Sequence, residues 1–257
     1  MCLILFAYKS HPKFPLILAA NRDEFYSRPT AIANFWDDKT QIFGGRDLVA
    51  GGTWLGLSKN GRFAALTNYR DPFAKSGIKS RGLLTKDFLA GQDSPENYLR
   101  KIESVKTDYS GFNLLVGDFG REQNEMFYFS NQDANGIRKL SAGIYGLSNH
   151  LLDTNWHKVE ISKERFTSVI KNSEQFSSDD MFDILADSSP APDEKLPVTG
   201  VGIEKERILS SPFIKTEIYG TRASTFLTID YENNVDFVEK TFVESIGEVR
   251  QNFLFEK

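Results

Sequence analysis

The amino-terminal stretch Met1-Cys2-Leu3-Ile4-Leu5-Phe6-Ala7-Tyr8-Lys9-Ser10-His11-Pro12-Lys13-Phe14-Pro15-Leu16-Ile17-Leu18-Ala19-Ala20-Asn21-Arg22-Asp23-Glu24 holds two unbroken apolar runs around a polar, proline-bearing turn. Runs of this length bounded by turn residues read as buried strands, here a hairpin over residues 3–8 and 16–20. A hairpin returns the chain to the level at which it began. The polar string Asn21-Arg22-Asp23-Glu24, directly after the second run, is therefore predicted to lie beside Cys2.

Further strands are predicted outward from this hairpin at residues 52–57 and 63–67, where Asn60-Gly61 supplies the positive φ angles of a tight turn. Two helices follow at 81–90 and 95–105, the second opened by Ser94 as N-cap with Pro95 at its first position. Strands resume at 112–119, 125–130 and 143–148. A helix capped by Asp153 carries Trp156, Val159, Phe166, Val169 and Ile170 at helical spacing. A helix at 179–186 precedes a loop with three prolines at 188–197. Strand-like segments at 215–220, 224–231 and 235–242 close the chain, with Asn233-Asn234 turning the last pair. Strands at both ends with helices between them define a layered α+β or α/β chain, read as one domain over 1–257 with the proline loop as a surface excursion.

Composition narrows the function. Thirty-one Lys and Arg stand against 35 Asp and Glu, a formal charge of -4, which argues against a nucleic-acid binder. The single cysteine excludes an intramolecular disulfide and fits a reducing, cytoplasmic compartment. No apolar run reaches membrane-spanning length, and the run from residue 2 to 8 is too short for a secretory leader. The three histidines, His11, His150 and His157, show no zinc-ligand spacing, and no glycine loop matches a phosphate-binding pattern, so neither metal nor cofactor is expected.

Cys2 carries the chemistry. A small second residue permits removal of Met1, which leaves a thiol (pKa about 8.5) and an α-amine (about 8) on one residue, a nucleophile with its own base. The competing reading is a small apolar side chain beginning an edge strand. Arg22 is placed to favour the thiolate and Asp23 to hold the amine; alternatively, with Arg28, they form a solvated network. Asn68 and Asn149 each follow a predicted strand, where an amide can donate to a developing oxyanion, an interaction worth roughly 3 kcal/mol in acyl transfer, or merely form a turn. Arg222 lies between two late strands. Arg70, Lys75, Lys79, Arg81 and Lys86 make a basic stretch suited to an anionic group or to a solvated face.

Cys2, Asn21-Arg22-Asp23-Glu24, Gly51-Gly52-Thr53-Trp54-Leu55-Gly56, Leu66-Thr67-Asn68-Tyr69-Arg70, Leu147-Ser148-Asn149 and Tyr219-Gly220-Thr221-Arg222 together resemble the NRDE family, across nearly the whole chain. That family is similar to N-terminal-nucleophile hydrolases of the bile-salt hydrolase and penicillin V acylase branch. The resemblance implies a four-layer αββα sandwich with Cys2 on an inner strand. It implies a catalytic set of Cys2, Arg22, Asp23, Asn68, Asn149 and Arg222, acting on a carbon–nitrogen bond other than a peptide or on a thioester. In those hydrolases two residues separate the Arg from its Asp; here the two are adjacent, and either Asp23 or Glu24 fills the carboxylate position. The resemblance equally implies a non-catalytic alternative, a binder of haem or acyl-CoA-type lipids with a role in secretion and Golgi organisation.

Overall fold

The computed structural model describes residues 2–74, 77–120, 124–172, 176–243 and 246–256. A six-stranded antiparallel sheet contains β1 (Cys2–Tyr8), β2 (Leu16–Phe25), β10 (Gly143–Leu147), β11 (Tyr219–Ile229), β12 (Asn234–Thr241) and β13 (Gly247–Leu254), in the order β10-β1-β2-β11-β12-β13. A seven-stranded sheet runs in sequence order from β3 (Thr30–Trp36) and β4 (Lys39–Asp47) through β5 (Leu55–Ser58), β6 (Arg62–Asn68), β7 (Phe112–Asp118) and β8 (Glu125–Ser130) to β9 (Arg138–Lys139). The helices are α1 (Gly82–Ala90), α2 (Pro95–Ser104), α3 (His157–Asn172), α4 (Ser178–Leu185) and α5 (Ile203–Leu209).

The unbroken apolar runs are explained by burial on both sheet faces. Side chains alternate along a strand, so Ile4, Phe6, Tyr8, Leu16 and Leu18 enter a core between the sheets, where they meet Phe43, Leu57, Phe63 and Leu115. Leu3, Leu5, Ala7, Ile17 and Ala19 face the other way, onto Val159, Phe166 and Ile170 of α3 and Met181 and Leu185 of α4. The second sheet repeats this pattern, with Leu66, Leu114, Val116 and Phe129 covered by Leu84 and Phe88 of α1 and Leu99 of α2. Helices, sheet, sheet and helices therefore stack in four layers, the αββα arrangement expected.

Several boundaries differ from expectation for identifiable reasons. The string 21–24 lies within β2 because Asn21 and Arg22 stay paired to both β1 and β11, and Asp23 and Glu24 continue the pairing with β11. Asp153 does not cap a helix: at φ +58° its carboxylate accepts the Gly146 N–H at 2.8 Å and pairs with Lys163, and α3 begins only at His157. The segments expected at 215–220 and 224–231 are largely one strand, β11, interrupted by a bulge at Arg222. Asn233 takes the positive φ (+71°) expected of the final turn.

Candidate active site

Strand parity distributes the string 21–24 between two environments. Cys2 shares the parity of Ile4 and Phe6, and Arg22 that of Leu18 and Ala20, so both face the gap between the sheets. They are also directly opposed in the β1–β2 register, a placement that brings Cβ atoms to about 5 Å. Arg22 is buried and donates from Nη1 to Thr30 Oγ1 at 3.1 Å. Asn21 and Asp23 point to the helical side. Asn21 donates to the carbonyls of Leu185 and Pro212, both at 2.9 Å, and accepts from Ser224 at 2.6 Å, so it fastens loops to the sheet. Asp23 is buried and accepts from the Thr221 hydroxyl at 2.7 Å, its partner across β11. Glu24 is half-exposed, and its carboxylate accepts its neighbour's N–H, that of Phe25.

The facing wall comes from the glycine-bearing segment before β5. Gly51 adopts φ +69°, and Gly52 packs so tightly on α1 that a Cβ there would lie 2.4 Å from the Gly82 carbonyl. Thr53 N–H donates to that carbonyl at 3.2 Å, joining the segment to the helix start. The result is an open cleft of about 130 Å³, lined among others by Cys2, Arg22, Asp23, Trp54, Asn68 and Arg81. Ser148 donates to the Cys2 carbonyl at 2.9 Å, and its own carbonyl accepts from Thr67, so the Cys2 backbone is tied to both sheets.

Asn68 ends β6 inside the cleft, and its side-chain amide has no hydrogen-bond partner among the described residues. Asn149 sits behind it, donating to the Asn68 carbonyl at 2.9 Å. Arg222, in the bulge, sends Nη1 to the carbonyls of Phe25, Tyr26 and Arg28 at 2.6–2.9 Å and borders a neighbouring cavity that it shares with Arg22. Thus Cys2, Arg22, Asp23 and Asn68 share one cleft, while Asn149 and Arg222 brace its edges. The basic stretch is dispersed: Arg70 pairs with Glu206, Lys79 with Asp108 and Lys86 with Asp87, and among its described members only Arg81 lines the cleft. Lys75 lies outside the described residues, as does Met1. His150 bonds Tyr69 and Thr154 through its two ring nitrogens, away from the cleft.

Burial dominates the electrostatics. It pushes the Cys2 thiol up, which favours the neutral thiol at rest, with the Arg22 guanidinium acting in the opposite sense. Asp23 is likewise pushed up by burial, with Lys158 and Arg70 pulling it back toward the carboxylate. Lys158 is missed by sequence reading. It lies on the first turn of α3, 1% exposed, donates to the Leu209 carbonyl at 3.0 Å, and is lowered by burial to about 8. Thr221 enters the sequence reading only within the segment Tyr219-Gly220-Thr221-Arg222, and Arg81 only as one member of the basic stretch. No local pattern marks Lys158.

Two sheets between helical layers, with a cysteine at the start of an inner strand, define the fold class of N-terminal-nucleophile hydrolases. The C2A mutant of conjugated bile acid hydrolase from Clostridium perfringens has a similar fold, with a TM-score of 0.57 at 10% identity over 100% of this chain and 97% of that one. The Caenorhabditis elegans N-acylethanolamine-hydrolyzing acid amidase ortholog gives 0.51 at 12% identity, covering 88% of this chain and 92% of that one. Within that class, residues 1–244 match the family model described as Transport and Golgi organisation 2, and the chain belongs to that family. The Homo sapiens Transport and Golgi organization protein 2 homolog is 34% identical over 259 residues, 95% of this chain and 94% of the relative.

Proposed function

We propose that the chain, once Met1 is removed, hydrolyses a small linear amide or thioester through an acyl intermediate on Cys2. The observation that carries this reading is the pairing of Cys2 with Arg22 on one sheet face, with Asp23 held by Thr221 on the other, all within one cleft. Because burial favours the neutral thiol, a base must take its proton as attack begins, and the α-amine of Cys2 is that base. Sulfur bonds to the substrate carbonyl carbon. As the carbon–nitrogen or carbon–sulfur bond breaks, the amine returns the proton to the leaving group. Water then cleaves the thioester and frees the thiol. Asp23 rather than Glu24 holds the amine, being buried beside Cys2 where Glu24 is half-exposed. Asn68, with its amide free in the cleft, donates to the oxyanion, and Asn149 and Arg222 position the strand ends.

The test compares the processed chain with a form that retains Met1 or an amino-terminal extension, using mass spectrometry to follow acyl-Cys2 from a short thioester. Loss of the base is expected to slow acylation by about 10²- to 10⁴-fold. Equal rates, or retention of Met1 in protein isolated from its native cell, would leave the thiol without its base and overturn the mechanism. Ligand binding without acylation of the processed chain would favour the carrier of haem or acyl-CoA-type lipids.

A further inference from the structure

The charges lining the cleft balance formally, Arg22, Arg28 and Arg81 against Asp23, Glu24 and Asp47, but they do not pair one to one. Arg28 is matched by Asp47 in a two-point pair, Nε–Oδ1 at 3.2 Å and Nη2–Oδ2 at 2.7 Å. Arg22 has Thr30 on Nη1 and the buried carboxylate of Glu239 in its field. Asp23 is turned to the helical side, and Glu24 is engaged by the Phe25 N–H. Arg81 remains. One of its nitrogens, Nη1, donates to the Gly111 carbonyl at 3.0 Å; no carboxylate among the described residues lies within ion-pair distance, and its other nitrogens are not sealed from solvent. Burial works against this guanidinium charge, and Glu24 is the carboxylate in its field, with the Arg28 cation opposing.

We infer that the substrate carries an oxyanion group, a carboxylate or a phosphate, which Arg81 holds across the cleft from Cys2. This rests on the reading of Cys2 as nucleophile. A partly desolvated guanidinium with no carboxylate in contact is costly, since Glu24 acts on it only from a distance, and a two-oxygen anion matches its donor fork. Arg81 immediately precedes α1, whose amino-terminal end adds positive potential at the same wall, and Ser80 and Gly82 line the cleft beside it. Trp54 and Leu66 supply the apolar surface for the remainder of the ligand. The cleft is small, so the scissile carbonyl at Cys2 and the anion at Arg81 belong to one compact ligand.

The experiment uses processed full-length chain and three thioester probes of equal length, ending in a carboxylate, a phosphate or a methyl group. Acylation of Cys2 is followed in wild type, Arg81→Gln and Arg81→Lys, with thermal unfolding of each variant recorded. Wild type should favour one charged probe over the methyl probe by about tenfold or more in kcat/KM, the size expected of one charge-assisted pair. The preferred anion distinguishes carboxylate from phosphate. That ratio should collapse in Arg81→Gln and partly return in Arg81→Lys. No preference in wild type, or an undiminished preference in Arg81→Gln, overturns the assignment. If no probe acylates Cys2, the nucleophile reading fails by itself. Calorimetric binding of the corresponding free dicarboxylate and phosphate acids then judges Arg81, where binding lost in Arg81→Gln supports the anion site and binding equal in both chains, or undetectable in wild type, rejects it.

Discussion

Asn21 shows how one side chain in a functional-looking string does structural work. It lies on the helical side of β2, is fully buried, and satisfies two loop carbonyls and the Ser224 hydroxyl at once. Truncation to alanine leaves both carbonyls and the Ser224 hydroxyl without that partner in a buried site. Asn21→Ala is therefore expected to lower unfolding free energy by about 3 kcal/mol, read from urea denaturation. A loss below about 1 kcal/mol would mean that water replaces the amide. Sequence alone cannot separate Asn21 from Arg22, since adjacent residues on a strand differ only in the face they occupy. The apolar parity of residues 16–20 holds that information, and it applies only once the strand is known to continue through residue 24.

At the scale of elements, the glycine-bearing segment and α1 form one joint whose precision sets the cleft wall. Its two glycines are needed for different reasons. Gly51 has φ +69° with nothing within 4 Å of an added Cβ, so Gly51→Ala carries only the backbone penalty, about 1 kcal/mol. Gly52→Ala would press on the Gly82 backbone, which cannot move without shifting α1, and is expected to cost about 3 kcal/mol. Chemical denaturation of both variants checks the order; equal costs would show that the joint is slack. The joint also shows which elements can be read from sequence. Residues 16–20, 63–67 and 112–118 announce themselves because both of their faces are buried. By contrast, β3, β4 and β13 carry exposed and polar positions, and α5 is a short polar helix beyond the prolines, so no apolar run marks any of them. Cys2, Arg22, Asp23 and Asn68 are legible as candidates from their chemistry and their places at strand ends, and family resemblance draws them into one set; Arg81 is legible only as one of a basic stretch, and Lys158 only in the tertiary fold.

Across the whole molecule, the site lies where two layers meet, and polar groups reach it from both. A buried chain of bonds runs from Tyr128 through Asn113, Thr67 and Ser148 to the Cys2 carbonyl, crossing from one sheet to the other. On the helical side, Arg70 and Glu206 form a buried pair at 2.5 Å, and the Arg70 guanidinium stacks 4.6 Å from the Trp156 ring. Lys158 shares the electrostatic field of Asp23 with this pair. Such a lysine makes stability depend on pH in a definite direction. Its ordinary value of 10.5 is lowered to about 8 in the folded chain, so between these values the unfolded chain binds more protons. Stability from this group therefore rises with pH across that window and falls again as pH drops through 8. From pH 7 to 9.5 the gain is about 2 kcal/mol. The Cys2 thiol, pushed up by burial, pulls the other way over the same range but is present in any Lys158 variant as well. The difference in urea unfolding free energy between wild type and Lys158→Met should thus shift toward wild type by about 2 kcal/mol across pH 7 to 9.5. A difference that stays constant with pH would mean that Lys158 keeps its ordinary proton affinity, and hence that its ammonium is not held out of water behind Asp23.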